Sequence, residues 1–171
     1  MYKTDRTIIL ASTSPRRREL LQLTGLRFKV VASDYEEDLT YDLPPHALAI
    51  FLSKEKAKSV AKKYKNALII AADTFIVVRD KIFGKPHTEE ESMKMLKALN
   101  GKAHSVITGF TIIDTKSKRV LSKAIDTKVY FRKLTIKEIE AYVNSGETID
   151  KAGAYAIQGL GSVIIRRIEG D

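Results

Sequence analysis

Short, wholly apolar runs alternate along this chain with longer segments whose apolar residues recur every three or four positions. Ile8-Ile9-Leu10-Ala11 reads as a short buried strand, and residues 28–32 read as a second. Residues 46–64 carry a helical stripe through Leu48, Phe51, Leu52, Ala57 and Val60. Residues 67–72 are apolar throughout, as expected of a strand buried on both faces. Residues 75–78 continue it, Arg79-Asp80-Lys81 turns, and Ile82-Phe83 returns as a hairpin arm. Thr88-Glu89-Glu90-Glu91 has the pattern of a capping box and opens a helix through Met93, Leu96 and Leu99. Residues 106–113 and 120–131 read as strands around a turn at 115–118, so an antiparallel pair is expected. Thr135 and Glu138 predict a second capping box and a helix to about Ser145, ended by Gly146, and the last strand is expected at 162–165. Alternating strands and helices followed by a long hairpin predict an α/β fold with a mixed sheet.

The segment after the first strand, Ser12-Thr13-Ser14-Pro15-Arg16-Arg17-Arg18, has an unusual polarity. Ser14 suits an N-cap and Pro15 the first helical position. Leu20, Leu21 and Thr24 then form a stripe, with Gly25 as the stop. Cations at the positive end of a helix cost roughly 0.3–1 kcal/mol each. A bound phosphate reverses that sign, because free N–H groups, hydroxyls and guanidinium forks all point at it. The alternative is solvated surface charge. No GxxxxGK[ST] loop occurs in the chain.

Composition narrows the classes. The 171 residues carry no linker, repeat or low-complexity segment and are read as one domain. No apolar run approaches the ~20 residues of a membrane span, and the first six residues show no signal-peptide pattern. Absence of cysteine rules out disulfides and thiol chemistry and fits a cytoplasmic setting. The net charge of +9 favours anionic partners: nucleic acid, nucleotides or an acidic membrane surface. No basic run is interleaved with aromatics as a single-strand binder requires.

Acids and lysines elsewhere suggest chemistry. Asp73 follows the buried run directly, where strand ends of α/β sheets line a ligand crevice; it is a candidate metal ligand or general base, or else a turn acid. Glu36-Glu37-Asp38 offers oxygen ligands to a hard cation such as Mg²⁺, or is a solvated acidic loop. Lys85, between Gly84 and Pro86, and Lys56, mid-helix, are unremarkable alone. His46, His87 and His104 lack metal-ligand spacing and read as surface or packing residues.

Taken together, Ser12-Thr13-Ser14-Pro15-Arg16-Arg17, Glu36-Glu37, Lys56-Ala57, Ala72-Asp73-Thr74, Gly84-Lys85-Pro86 and the string from Asp150 to Gly159 (DKAGAYAIQG) resemble the Maf family in content and order. The resemblance covers essentially the whole chain. It implies a nucleoside triphosphate pyrophosphatase with an elongated mixed sheet, flanking helices and two lobes around a cleft, like inosine triphosphate pyrophosphatases. It implies Asp73 as proton acceptor, Ser12, Arg17, Lys56 and Lys85 as triphosphate ligands, and Glu36, Glu37 and Asp73 as holders of a divalent cation, Mg²⁺ or Mn²⁺. Arg16, Thr74 and Gln158 match positions that separate substrate subgroups, and the Ala-Asp-Thr pattern resembles the subgroup acting on dTTP and UTP. A homodimer is a further implication; neither membrane nor nucleic-acid binding is expected of such an enzyme. The competing expectation is a non-enzymatic nucleic-acid-binding regulator of septum formation. Family members usually continue past Gly170-Asp171 into another strand and helix, which this sequence is expected to lack.

Overall fold

A computed structural model describes residues 6–170. In chain order the elements are β1 (Thr7–Leu10), α1 (Pro15–Gln22), β2 (Phe28–Val30), α2 (Pro45–Ala61), β3 (Ala67–Val78), β4 (Lys81–Phe83), α3 (Glu89–Leu99), β5 (Ala103–Asp114), β6 (Val120–Phe131), α4 (Ile136–Asn144) and β7 (Ile165–Glu169). The strands form one mixed sheet in the order β2-β1-β3-β5-β6-β7, with β4 pairing to β3 off that path. β1 runs parallel to both β2 and β3, whereas β4 and β7 pair antiparallel with β3 and β6. The turn between neighbours β5 and β6 is too short for anything but antiparallel pairing.

The chain clusters into two compact units: residues up to Asp73 with Thr108–Ala124, and Thr74–Ile107 with Ile125–Asp171. In the first, α2 packs Ala57 and Val60 against Ile9, Ala11, Ile69 and Ala71 from β1, β3 and the residue just after β1. Residues 48, 52, 56 and 60 lie one above the other on that buried face. β5 approaches α2 closely because position 109 is glycine; a Cβ there would lie 2.1 Å from the Ala49 carbonyl oxygen. Beside it the Ser53, Thr111 and Ser122 hydroxyls form a hydrogen-bonded chain with both links 2.8 Å. This fixes the height and rotation of α2, and therefore where Lys56 emerges.

The second unit has its own core. Leu96 and Leu99 of α3 and Ile139, Tyr142 and Val143 of α4 pack with Ile76, Val129 and Phe131. α4 begins with the full capping box: Thr135 accepts from the Glu138 N–H while the Glu138 carboxylate accepts from the Thr135 N–H. At α3 only half of the box forms, because the Glu91 carboxylate takes the His87 N–H instead.

Three local expectations are corrected. The α1 stripe is not a core face: no residue of α1 is buried and Leu20 is 53 % exposed. Asp73 does not end a strand, since β3 runs unbroken to Val78. The last strand starts at Ile165 rather than at Ser162; Gly159–Ile164 winds into a 3-10 helix, with the Ser162 hydroxyl donating to the Gly159 carbonyl, and pairing begins only at Ile165 opposite Phe131.

Candidate active site

β1, α2, β3 and the loop before α2 meet around Asp73. The β1–β3 ladder ends where the Ala11 N–H donates to the Ile70 carbonyl oxygen at 2.8 Å. There the chain leaves the sheet and Ser12–Ser14 leads into α1. The Ser12 hydroxyl, 7 % exposed, accepts the Ser14 N–H at 3.2 Å and lies 3.4 Å from the donating Arg17 Nη1. Ser14 occupies the N-cap position without a side-chain cap, and no acid stands in the first turn of α1. Ser12, Thr13, Ser14, Pro15 and Arg18 line an open cavity of about 310 Å³ at this helix start. Free N–H groups at such a helix start can bind an anion.

Three residues beyond Ile70, Asp73 is 1 % exposed. Burying a carboxylate is costly unless it is paired. Lys56, itself 5 % exposed, supplies the pair: its Nζ donates both to Asp73 Oδ1 and to Glu37 Oε1. The second Asp73 oxygen, Oδ2, is buried without a hydrogen-bond partner. Burial is the largest influence on Asp73 and pushes its carboxyl above the usual carboxylate range; Lys56 opposes the rise, Glu37 adds to it and Arg17 opposes it. Burial lowers the Arg17 guanidinium from its ordinary value, while the charges of Asp73 and Glu37 hold it up. Two carboxylates and two cations thus form one electrostatically balanced group.

The structure therefore gathers Ser12, Arg17, Glu37, Lys56 and Asp73 in the first unit. Arg16 is half-buried on α1 and outside the hydrogen-bonded group, and Glu36 is exposed in the loop beside Glu37. Thr74, Lys85 and Gln158 belong to the second unit. Thr74 is half-buried as the next residue of β3; Lys85 is exposed, in a loop anchored where the Gly84 carbonyl accepts the Gly153 N–H at 2.8 Å. Gln158 is exposed at the N-cap of the 3-10 helix.

The sequence reading missed what holds the Gln158 loop. Glu147 accepts the Leu160 N–H at 3.2 Å, and the Tyr142 hydroxyl accepts the Ala156 N–H at 3.4 Å. A Cβ at Gly161 would lie 2.0 Å from the Ala156 carbonyl oxygen, so the loop closes on itself only with glycine there. These contacts join residues thirteen and fourteen apart that share no element, and no periodicity announces them.

A hard cation wants oxygen ligands, and Mg²⁺ takes one or two carboxylates together with substrate phosphates. Asp73 and Glu37 fit that demand, because the Asp73 Oδ2 is buried without a partner and both donors are carboxylates. Among the described residues no group of three His, Asp or Glu forms a cage that could hold a metal by itself. Nor, among them, is any helix long and apolar enough to cross a membrane.

A mixed α/β sheet with a bare helix start beside a buried carboxylate–ammonium chain defines a protein of phosphate chemistry. Residues 7–171 match the family described as Maf-like protein. The dTTP/UTP pyrophosphatase of Thermoanaerobacter sp. (strain X514) is 50% identical over 165 residues, 96% of this chain and 86% of that protein. The dTTP/UTP pyrophosphatase of Carboxydothermus hydrogenoformans is 48% identical over 163 residues, 95% of this chain and 87% of its own. That of Methanosarcina barkeri is 47% identical over 167 residues, 97% of this chain and 85% of its own. The chain belongs to the Maf family.

Proposed function

We propose that this protein is a nucleoside triphosphate pyrophosphatase that hydrolyses dTTP and UTP between the α- and β-phosphates, yielding the monophosphate and pyrophosphate. The observation that carries the reading is the buried Asp73 joined through Lys56 to Glu37, with Arg17 beside them at an uncapped helix start. The relatives named dTTP/UTP pyrophosphatase support the choice of nucleotide.

In this reading Asp73 orients the attacking water and takes its proton, a role suited to a carboxyl whose burial raises its basicity. Arg17, Lys56 and the Ser12 hydroxyl bind phosphate oxygens and stabilise the charge that develops on the leaving pyrophosphate. Lys85 is a further phosphate ligand. A divalent cation held by Asp73 and Glu37, with Glu36 as an additional candidate, would supply neutralisation of the phosphate charge. Thr74, Gln158 and Arg16 choose the base. The enzyme acts on free nucleotides in the cytoplasm as a homodimer, and clearing modified pyrimidine nucleotides is its house-cleaning role.

The test is a panel of ordinary and modified triphosphates with Mg²⁺, with products separated by chromatography. The expected products are dTMP or UMP with pyrophosphate, and dTTP and UTP are expected to be preferred over purine nucleotides. Diphosphate and inorganic phosphate as products would overturn the proposed bond cleavage. Salt-sensitive DNA binding without hydrolysis would favour the regulator instead.

A further inference from the structure

We propose that Lys56 is the resident counter-cation of the site: its ammonium holds Asp73 and Glu37 until a divalent cation displaces it, and it then passes to the substrate's phosphates. This rests on the pyrophosphatase reading and adds an ion exchange to it.

Lys56 lies on the buried stripe of α2, one helical turn from Leu52 and from Val60, and all three are at most 5 % exposed. The Lys56 ammonium is held below the surface, with Glu37, 41 % exposed, at the solvent edge. Its charge is tolerated because it donates to two carboxylates at once. The oxygens it engages, Asp73 Oδ1 and Glu37 Oε1, belong to the carboxylates that would hold the cation. Ammonium and divalent ion therefore compete for the same negative charge. Asp73 Oδ2, buried without a partner, offers an incoming ion a first oxygen before Lys56 lets go.

The exchange is balanced in charge. Before it, Lys56 and Arg17 offset Asp73 and Glu37. After it, the divalent ion offsets the two carboxylates, and the two basic side chains face the phosphates. The side chain of Lys56 is long and flexible enough to move its head by several ångströms while its stem stays packed. A further consequence follows for order: without phosphate, the lysine has nowhere favourable to go, so the cation binds weakly to the protein alone.

Mn²⁺ titration of the full chain without nucleotide, followed by calorimetry, tests this independently of turnover. Lys56→Met keeps the length of the side chain and removes its charge. It is expected to bind Mn²⁺ about tenfold tighter than wild type, since a charge competing at close range is gone. Lys56→Arg is expected to bind it as weakly as wild type. If Lys56→Met folds poorly, the same effect is read in its thermal stability: Mn²⁺ should raise the Tm of the variant more than that of wild type. Equal or weaker Mn²⁺ binding by Lys56→Met, with no extra thermal rescue, overturns the proposal. Should wild type hydrolyse dTTP with Mn²⁺ in that case, the exchange fails and the pyrophosphatase reading stands. If neither protein binds Mn²⁺ and wild type does not hydrolyse dTTP, both fail.

Discussion

At the scale of single residues, the site is a chain of charges in which buried Asp73 and Lys56 depend on each other and on Glu37 at the solvent edge. Arg17 shows the dependence most simply. It reaches the Ser12 hydroxyl and feels the fields of Asp73 and Glu37, yet stands on a helix that buries none of its own residues. Its surroundings are the carboxylates and the Ser12 hydroxyl, with partial burial. Arg17→Ala is therefore expected to lower kcat/KM for dTTP by about 10²-fold, while exposed Arg27→Ala changes it little. Equal effects of the two would show that the helix start does not hold phosphate. The helix start was legible beforehand: Ser14 and Pro15 mark the N-cap and first turn of α1, where an anion is favoured. Lys56 reads as unremarkable alone, although its spacing four residues from Leu52 and Val60 puts a cation in core register, which requires a buried partner. The choice of Glu37 over Glu36 was not legible, because a loop without period does not say which acid turns inward.

At the scale of elements, the legible parts are those where one local rule acts alone. The long β5–β6 hairpin, the strand at 67–78 and the box at Thr135 follow from apolar period and cap chemistry. The errors fall where apolar content and burial part company. Leu20 and Leu21 look like a stripe, but no residue of α1 is buried among the described residues. Val163 and Ile164 look like the start of the last strand, but the turn begun at Gly159 carries through them as a 3-10 helix, and the strand begins at Ile165. Gly109 marks an element-level dependence that no pattern predicts, since its need for a bare Cα comes from Ala49 sixty residues away in sequence. Gly109→Ala must push β5 and α2 apart. Its expected cost is about 1–3 kcal/mol in urea unfolding, and dTTP turnover should fall too, because Lys56 moves with α2. A loss of stability with full turnover would show that the site does not depend on the height of this helix.

At the scale of the whole molecule, the alternation of strand and helix made the α/β class legible, whereas the division into two compact units was implied by the family resemblance and not by the residue pattern: no linker separates the units, and β3, β5 and β6 run through the division. The pH dependence of folding stability has an identifiable contributor in His104. It is 2 % exposed, its Nε2 lies 2.7 Å from the Tyr155 hydroxyl, and its ring packs edge-on to Phe131 and Tyr155. Burial, followed by the nearby charge of Lys128, lowers its pKa to about 4. In an unfolded chain the value is ~6.5. Between the two the unfolded chain takes up a proton that the folded protein refuses. The contribution is thus complete above the unfolded value and lost as pH falls to the folded one, with a size on the order of 3 kcal/mol. Stability of wild type relative to His104→Gln should fall between pH 7 and pH 4, and a difference flat with pH would contradict the burial of a neutral imidazole. The central claim is that Asp73 hydrolyses a nucleotide from within its ion-pair chain, and the most direct measurement is dTTP hydrolysis with Mg²⁺ by wild type and Asp73→Asn side by side, products resolved. Wild type should yield dTMP and pyrophosphate, and the variant should be slower by about 10²–10⁴-fold while retaining the wild-type fold by circular dichroism. An undiminished rate in the variant, or dTDP and phosphate from wild type, would contradict it.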